Sequence, residues 1–427
     1  MTSVLSLTKS ALPVLVLLLC MGVSPLLIEP AYIGYIAAYG IFIVLSAKQI
    51  LTPDPEPRRP NRLLLGWVAF AGLVLMVTLL AKPGFRDLVR DGGAAASFLF
   101  GLFLIPRALG PNWERPLFAA LSALAMIVAV WTIFGAARAY FAGVGAYEWR
   151  GLYVPFVHTW LPYLIVAEYI RSRSGADIRL SAFRIGLCVL ALLLSLSRTG
   201  LGLILVFGAV TLMFNARRWL LTGRGIALMV TAAVASALIL PQLLQLDVVQ
   251  QRIQVGIGSN DQSLGWRAME QMAAVNYLDA GGLWRWLFGY GLGSQMPLPV
   301  GIVDFAGNPT VPHLHNSYWT YVFKFGLIGT AWIMLSIAVL VVRAHLSRGG
   351  VPALLVGGSW IVALVMGTAL TLQGMSEWSH LMFLGIACAM LSKAARSPRL
   401  ARRPTPNRTI MANGSGFPAQ SQSSWPR

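Results

Sequence analysis

Of the 427 residues, 57% are apolar and only 11% are charged, whereas a soluble globular domain carries about 25% charged residues. The apolar residues form continuous runs near the ~20 residues that span a bilayer as a helix, which favours helices over a β-barrel. The net charge of +18 would suit a nucleic-acid-binding protein, but its distribution along the chain argues against one.

The sequence predicts an all-α polytopic membrane protein with about 12 transmembrane helices. The predicted spans are residues 11–28, 32–50, 63–81, 92–109, 117–136, 152–170, 184–197, 199–215, 225–241, 318–342, 351–372 and 377–392. With a cytoplasmic N-terminus, every inner loop is basic, as the positive-inside rule requires. Ten of the 33 Lys and Arg residues fall on or near the outer side: Lys82, Arg86, Arg90, Arg138, Arg150, Arg198, Arg252, Arg267, Arg285 and Lys324. The positive charge therefore indicates topology, and no nucleic-acid partner is expected.

These spans divide the chain into four parts. Residues 1–240 hold predicted helices one to nine, and residues 241–317 form one large periplasmic loop that we expect to be catalytic. Residues 318–392 hold helices ten to twelve, and residues 393–427 are predicted to form a disordered, basic cytoplasmic tail.

The outer segment from Ala81 to Gly93 carries mixed charge, with Arg86 and Arg90 beside Asp87 and Asp91. A four-residue spacing puts both arginines on one face of a helix. One interpretation of this segment is a short helix at the membrane interface, ahead of a span that begins at residue 92.

Two histidines fall inside predicted spans, His158 in the sixth and His380 in the twelfth. A histidine within the membrane is a functional candidate by default, and the alternative is a bond to a neighbouring backbone carbonyl. The sequence leaves the roles of both residues open.

Arg198 stands at the outer boundary between spans seven and eight, in the segment LSLSRTG. An arginine so close to hydrocarbon must either extend its side chain to water or bind an anion. Its neighbours Ser195, Ser197, Thr199 and Gly200 favour the second interpretation, a phosphate cradle.

The large loop contains a predicted amphipathic helix, SLGWRAMEQMAAVNYL. Its spacing predicts that four side chains pack against the membrane or the helix bundle, leaving Arg267 and Glu270 at i and i+3. The four are Trp266, Met269, Met272 and Ala273. The Gly-rich turn Trp286–Ser294 lacks the flanking features of a nucleotide-binding loop. His313 and His315 follow, just before the tenth span.

The ordered set of motifs resembles the O-antigen ligase and polymerase superfamily. The resemblance covers roughly Leu190 to Leu340 and rests on LSLSRTG, Trp266–Arg267, WLFGYGLGS and HLHNSYWTYVFKFGLIG, in that order. It implies a GT-C-like helical fold and transfer of a glycan from undecaprenyl diphosphate to an acceptor sugar, at the periplasmic face of the bacterial inner membrane. It also implies a reaction without nucleotide sugar, metal or other cofactor. By position, His315 matches the family histidine, and Arg198 and Arg267 match the anion-binding arginines.

The chemistry of such a transfer agrees with these residue types. A base must take the proton of the acceptor hydroxyl, a role that suits histidine, and arginine forks can hold the departing diphosphate. Attack opposite the leaving group would invert the anomeric centre. Arg285 and Arg252 are further candidates for diphosphate contact or simple surface residues, while His313, Asn316 and Tyr318 are supporting residues.

Other chemistries have weaker support. His313 and His315 supply two metal ligands without a third nearby, and no carboxylate pair marks a glycosidase.

The sequence departs from the family at Lys324, where Glu is frequent, and at Trp319, where Leu is frequent; both departures bear on which acceptor is used. Five aromatic residues are candidates for sugar stacking or for the ordinary interfacial belt: Trp266, Trp284, Trp286, Tyr290 and Tyr318.

Three functions stay open at this point. A ligase that joins a glycan to lipid A–core is placed first, because the loop is compact with one His-Asn motif. An O-antigen or exopolysaccharide polymerase would use a second lipid-linked glycan as acceptor. A multi-pass transporter would need charged or broken helices near the middle of the bilayer.

Overall fold

The computed structural model describes residues 2–27, 31–52, 62–145, 156–173, 177–220, 245, 262–299, 302, 307–347, 352–370 and 377–396. The α-helices are α1 (Thr2–Leu27), α2 (Ala31–Leu51), α3 (Arg62–Ala81), α4 (Phe85–Leu99), α5 (Ile105–Leu109), α6 (Glu114–Phe141), α7 (Leu161–Arg173), α8 (Ile178–Leu194), α9 (Arg198–Leu220), α10 (Gln262–Ala280), α11 (Gly282–Phe288), α12 (Ser317–Leu346), α13 (Pro352–Ala369) and α14 (Trp378–Arg396). A π-helical turn, Phe100–Leu104, joins α4 to α5, and a 3₁₀ turn, Phe156–Trp160, precedes α7. Two short strands, β1 (Met296–Pro297) and β2 (Thr310–Val311), pair antiparallel.

Six of the described helical segments are long and apolar enough to cross a membrane: Ile33–Leu51, Phe85–Leu109, Glu114–Phe141, Ser317–Leu346, Pro352–Ala369 and Trp378–Ala395. Shorter apolar stretches cover Ala11–Ser24, Ala69–Ala81 and Arg198–Phe214. The chain thus has the make-up of an all-α, multi-pass membrane protein, in which each helix satisfies its own backbone hydrogen bonds. The predicted span 225–241 and the tail from residue 397 lie outside the described residues, so the count of twelve stays a prediction.

Helix α14 lies at the centre of the bundle, against α13, α12 and the α4–α5 segment. Small residues permit this close packing. A Cβ atom added at Gly101 would lie 2.2 Å from the Met382 carbonyl oxygen, and one at Gly385 would lie 2.2 Å from the Phe98 oxygen. Any larger side chain at either position would force the two helices apart.

The helix ends lie on two faces of the bundle. On one face Arg107 Nη2 donates to the Thr52 carbonyl at 3.3 Å. On the other face, which we call the loop face, Trp378 Nε1 donates to the Arg90 carbonyl at 2.9 Å. The loop face also carries α10, α11 and the β1–β2 pair, which surround a small apolar cluster of their own. Its buried members are Ala273, Ala274, Met296, Leu298, Val311, Leu314 and Phe323.

The segment before residue 92 differs from the sequence-based interpretation. Helix α4 begins at Phe85, after an extended Gly84, and continues through the π turn to Leu109. Its charged residues pair with each other, since Arg90 Nη1 lies 2.7 Å from Asp87 Oδ1. The charges that predicted a separate interfacial helix therefore belong to the first turns of the spanning segment itself, and Asp91 is only 4% exposed.

Candidate active site

The segment that carries His315 is fixed by the start of α12. Asn316 is the N-cap residue, and its side-chain oxygen accepts a hydrogen bond from the Tyr318 backbone N–H at 3.0 Å. One turn further on, the Thr320 hydroxyl accepts from the Leu314 backbone N–H at 2.9 Å. The residues on both sides of His315 are thus held by side-chain bonds to the backbone, which limits how far the imidazole can move.

A buried carboxylate orients the His315 ring. Glu270 Oε1 lies 2.9 Å from His315 Nδ1, and Glu270 Oε2 accepts from the His315 backbone N–H, also at 2.9 Å. Trp266 Nε1 donates to Oε1 at 2.7 Å. The Glu270 side chain is 2% exposed and that of His315 is 33% exposed. Because the carboxylate engages Nδ1, Nε2 is the ring nitrogen that a substrate would meet.

The sequence-based interpretation missed the role of Glu270. It grouped this residue with Arg267 on a polar face of α10, whereas the carboxylate turns inward to His315. Ala273 is buried against the protein, whereas Met272 is 66% exposed, so of the two predicted surroundings, bundle or membrane, only the membrane is left for Met272. One feature of the sequence could have indicated the role of Glu270. Trp266 and Glu270 are four residues apart, so on one face of a helix the indole N–H can reach the carboxylate.

The Gly-rich turn docks on a break in α12. At Gly326 the backbone adopts φ 68° and ψ −177°, which interrupts the helix and releases the carbonyls before it. Tyr290 N–H donates to the Phe323 carbonyl at 2.9 Å, and Gly291 N–H donates to the Lys324 carbonyl at 2.8 Å. The turn therefore completes the hydrogen bonding of the broken helix and ties the loop to the bundle.

Asp91 connects the helices, the Gly-rich turn and the histidine segment. Its Oδ2 accepts from Gly293 N–H at 2.7 Å and pairs with Lys324 Nζ. Its Oδ1 lies 3.0 Å from Arg90 Nε and 3.4 Å from His313 Nε2. Such a set of partners is what a buried carboxylate requires. Neither Asp91 nor Lys324 was predicted as a site residue, because they lie 233 positions apart.

His313 is a neutral neighbour of the site. Burial, together with the positive charge of Lys324, lowers the pKa of His313 well below its usual value of 6.5, although Asp91 acts in the opposite direction. A histidine with a lowered pKa is a weaker base. The supporting role predicted for His313, with His315 as the base, is consistent with this environment.

The hydroxyls around Arg198 are used differently from the prediction. Ser195 and Ser197 are buried, at 0% and 3% exposure. Ser197 Oγ accepts from Gly200 N–H at 3.4 Å, while Ser195 Oγ donates to a carbonyl of its own helix. Both hydroxyls bond to backbone groups at the helix ends, so the phosphate cradle that the sequence predicts retains the exposed Arg198 and the N-terminus of α9 but not these two hydroxyls.

Arg198 lies on the loop face with His315. Tyr318 Oη donates to the Met366 carbonyl at 3.0 Å, which joins the start of α12 to the end of α13. A Cβ atom at Gly367 would lie 2.5 Å from Leu203 Cδ2, so the first turns of α9 pack against the same end of α13. The helix starts that carry Arg198 and His315 are therefore both neighbours of one helix end.

The remaining predicted arginines have different surroundings. Arg267 is three residues before Glu270 in α10, hence within one helical turn of the His315–Glu270 pair. Arg285 donates from Nη1 to the Gly289 carbonyl at 3.1 Å, and its guanidinium lies 4.5 Å from the Tyr290 ring centroid. Arg285 thus braces the Gly-rich turn. Arg252 lies outside the described residues.

The two histidines of the spans are separate from this pair. His380 is 1% exposed, and its Nδ1 lies 2.9 Å from Glu377 Oε2 at the start of α14. His158 is 3% exposed in the 3₁₀ turn before α7. Within the described ranges, no group of three or more His, Cys, Asp or Glu side chains could hold a metal ion.

Comparison with known proteins adds no assignment. No model of a known protein family matches the chain, and no curated protein matches it. A function must therefore be argued from the side chains that the fold brings together.

Proposed function

We propose that the protein is a glycosyltransferase that moves a glycan from an undecaprenyl-diphosphate carrier to a hydroxyl of an acceptor sugar, at the periplasmic face of the bacterial inner membrane. The observation that carries this proposal is the His315–Glu270 pair, a partly exposed imidazole whose Nδ1 is held at 2.9 Å by a buried carboxylate. Such a carboxylate orients the ring and stabilises the imidazolium that forms, which together with a partly exposed ring is what a general base requires.

In the proposed reaction, His315 Nε2 takes the proton of the acceptor hydroxyl. The acceptor oxygen attacks the anomeric carbon of the donor while the bond from that carbon to the phosphate oxygen breaks. The electron pair of the broken bond leaves with the undecaprenyl diphosphate, and the configuration at the anomeric carbon inverts. Glu270 holds the imidazole throughout and faces the positive charge that develops on it.

Cations must balance the charge that builds on the departing diphosphate. We assign this role to Arg198 and Arg267, because Arg267 lies within one helical turn of Glu270 and Arg198 begins a helix that packs against the end of α13, as the start of α12 does. Guanidinium groups bind phosphate oxygens in pairs. Arg285 contributes indirectly, through its contacts with Gly289 and Tyr290. No cofactor takes part in these steps.

A twelve-helix, GT-C-like fold with its catalytic loop in the periplasm accommodates this reaction. The acceptor is lipid A–core for a ligase, which we place first, or a second lipid-linked glycan for a polymerase.

A transporter is the second candidate function, because the broken helix α12 and the buried Asp91–Lys324 pair are features that transporters use. Against it, both carboxylate oxygens of Asp91 are engaged by protein groups that fix the break in place.

Lipid analysis of cells tests the proposal. Cells that lack the protein are expected to accumulate undecaprenyl-diphosphate glycan, as polymer if it is a ligase and as single repeats if it is a polymerase. His315→Ala should fail to reverse the accumulation. His345→Ala is a matched control that should reverse it fully, because His345 is exposed near the end of α12 far from the loop, with Nδ1 2.9 Å from the Val341 carbonyl. Full reversal by His315→Ala would contradict the proposal.

A further inference from the structure

Two tryptophans adjoin the His315–Glu270 pair. Trp319 lies in the first turn of α12, three residues beyond the N-cap residue Asn316 and four beyond His315 in the chain. The ring centroid of Trp286, in α11, lies 6.5 Å from that of Trp319, with the rings inclined at 68°. Both side chains are partly exposed. The pair thus presents partly exposed aromatic surface beside the first turn of α12, the turn that directly follows the His315 segment.

The other aromatic candidates for sugar stacking are occupied by protein contacts. Trp266 donates to Glu270, Tyr318 donates to the Met366 carbonyl, and the Arg285 guanidinium lies over the Tyr290 ring. Trp284 contacts Phe288, with ring centroids 4.2 Å apart and the rings inclined at 42°. Among the five predicted candidates, Trp286 alone combines partial exposure with a neighbour in the first turn after His315. Trp319, which the sequence marked only as a departure from the family, completes the pair.

A carboxylate stands at the edge of the Trp286 ring. Trp286 Nε1 donates to Asp279 Oδ1 at 2.9 Å, and Asp279 is exposed. The bond fixes the orientation of the indole and places a strong hydrogen-bond acceptor at its edge. A pyranose ring offers C–H groups on its flat face and hydroxyls around its edge. The electron-rich indole face suits the former and the carboxylate suits the latter.

We propose that Trp286, Trp319 and Asp279 form the subsite for the acceptor sugar. The negative charge of Asp279 disfavours the donor diphosphate there, so the subsite selects a neutral sugar, while Arg198 and Arg267 serve the donor. The sugar stacks on the face of one indole, with the second indole, inclined at 68°, against its side, and one of its hydroxyls donates a hydrogen bond to the Asp279 carboxylate. Its reacting hydroxyl then points toward His315. This subsite rests on the proposed function only for its acceptor role, because sugar binding itself requires no turnover.

The test measures binding without catalysis. Full-length His315→Ala protein in detergent is screened on an array of neutral bacterial oligosaccharides without lipid or phosphate, and the best glycan is titrated by calorimetry. Trp286→Ala and Trp319→Ala, each made in that background, should weaken binding by about tenfold or more. Trp284→Ala is the matched control, since Trp284 is 51% exposed in the same helix and should leave the affinity unchanged.

A conservative variant separates recognition from folding. Trp319→Phe keeps an aromatic face and should bind more tightly than Trp319→Ala, and all variants should elute as the parent does in size exclusion. The subsite is overturned if the array shows no glycan bound, or if Trp284→Ala and Trp286→Ala lose affinity equally. Sugar binding that depends on Trp286 and Trp319 in a protein without transfer activity would keep the subsite and refute the proposed reaction.

Discussion

At the scale of single residues, the site depends on one carboxylate that makes three contacts. Glu270 binds the Nδ1 atom and the backbone N–H of His315 and accepts from Trp266 Nε1. A buried carboxylate without hydrogen-bond donors would destabilise the fold, so these three bonds are strongly favoured. The same bonds hold the His315 imidazole in place. The partners are 45 positions apart in the chain, which explains why sequence motifs alone did not join them.

Replacing the carboxylate by an amide tests this role. We expect Glu270→Gln to lower kcat by about 10²-fold or more, because the amide keeps the shape but no longer stabilises the imidazolium. The KM for donor and acceptor should change little, since Glu270 contacts neither substrate. Steady-state kinetics of the reconstituted protein measures both constants. Glu114→Gln, on the opposite face of the bundle, is the control, and a change confined to KM would count against an orienting role.

At the scale of elements, the broken helix α12 and the Gly-rich turn form one unit. The break at Gly326 exposes carbonyls that Tyr290 and Gly291 satisfy, and Asp91 then joins this unit to α4. The segment that carries the proposed base, just before α12, is therefore held where the loop is bonded to the bundle. Such support is what precise placement of a base requires.

The buried pair Asp91–Lys324 can be tested by a double-mutant cycle. Asp91→Asn should destabilise the protein by about 3–5 kcal/mol, because it leaves the buried Lys324 ammonium without its counter-charge. Adding Lys324→Met removes that charge and should restore much of the loss. Thermal melting in detergent of the two single variants and the double variant gives the coupling free energy between Asp91 and Lys324. A double variant less stable than Asp91→Asn would show that the Asp91–Lys324 ion pair does not stabilise the contact between α4 and α12.

Sequence patterns predicted some elements closely and others poorly, for identifiable reasons. The apolar runs at residues 117–136 and 351–372 coincide with α6 and α13, because hydropathy reports directly on burial in lipid. The start of α4 was misplaced at residue 92, since hydropathy treats Arg90 and Asp91 as exposed charges although they pair within the fold. Three-dimensional pairing of this kind has no local signature, and the same holds for Glu270 and His315.

At the scale of the whole molecule, the account requires that donor and acceptor groups meet on one face of the membrane. The starts of α9 and α12 both adjoin the end of α13, so Arg198 and His315 share the loop face. In the proposed reaction a lipid-linked donor places its diphosphate at the arginines and its sugar at the histidine, without either group crossing the bilayer.

The most direct measurement is the transfer rate of purified protein in proteoliposomes, with undecaprenyl-diphosphate oligosaccharide as donor and core lipid or a second donor molecule as acceptor. The account predicts a joined glycan with an inverted linkage from the parent protein and from His345→Ala. His315→Ala should be folded and inserted yet form product at least about 10³-fold more slowly. Product formed by His315→Ala at the parent rate would contradict the central claim that His315 is the base.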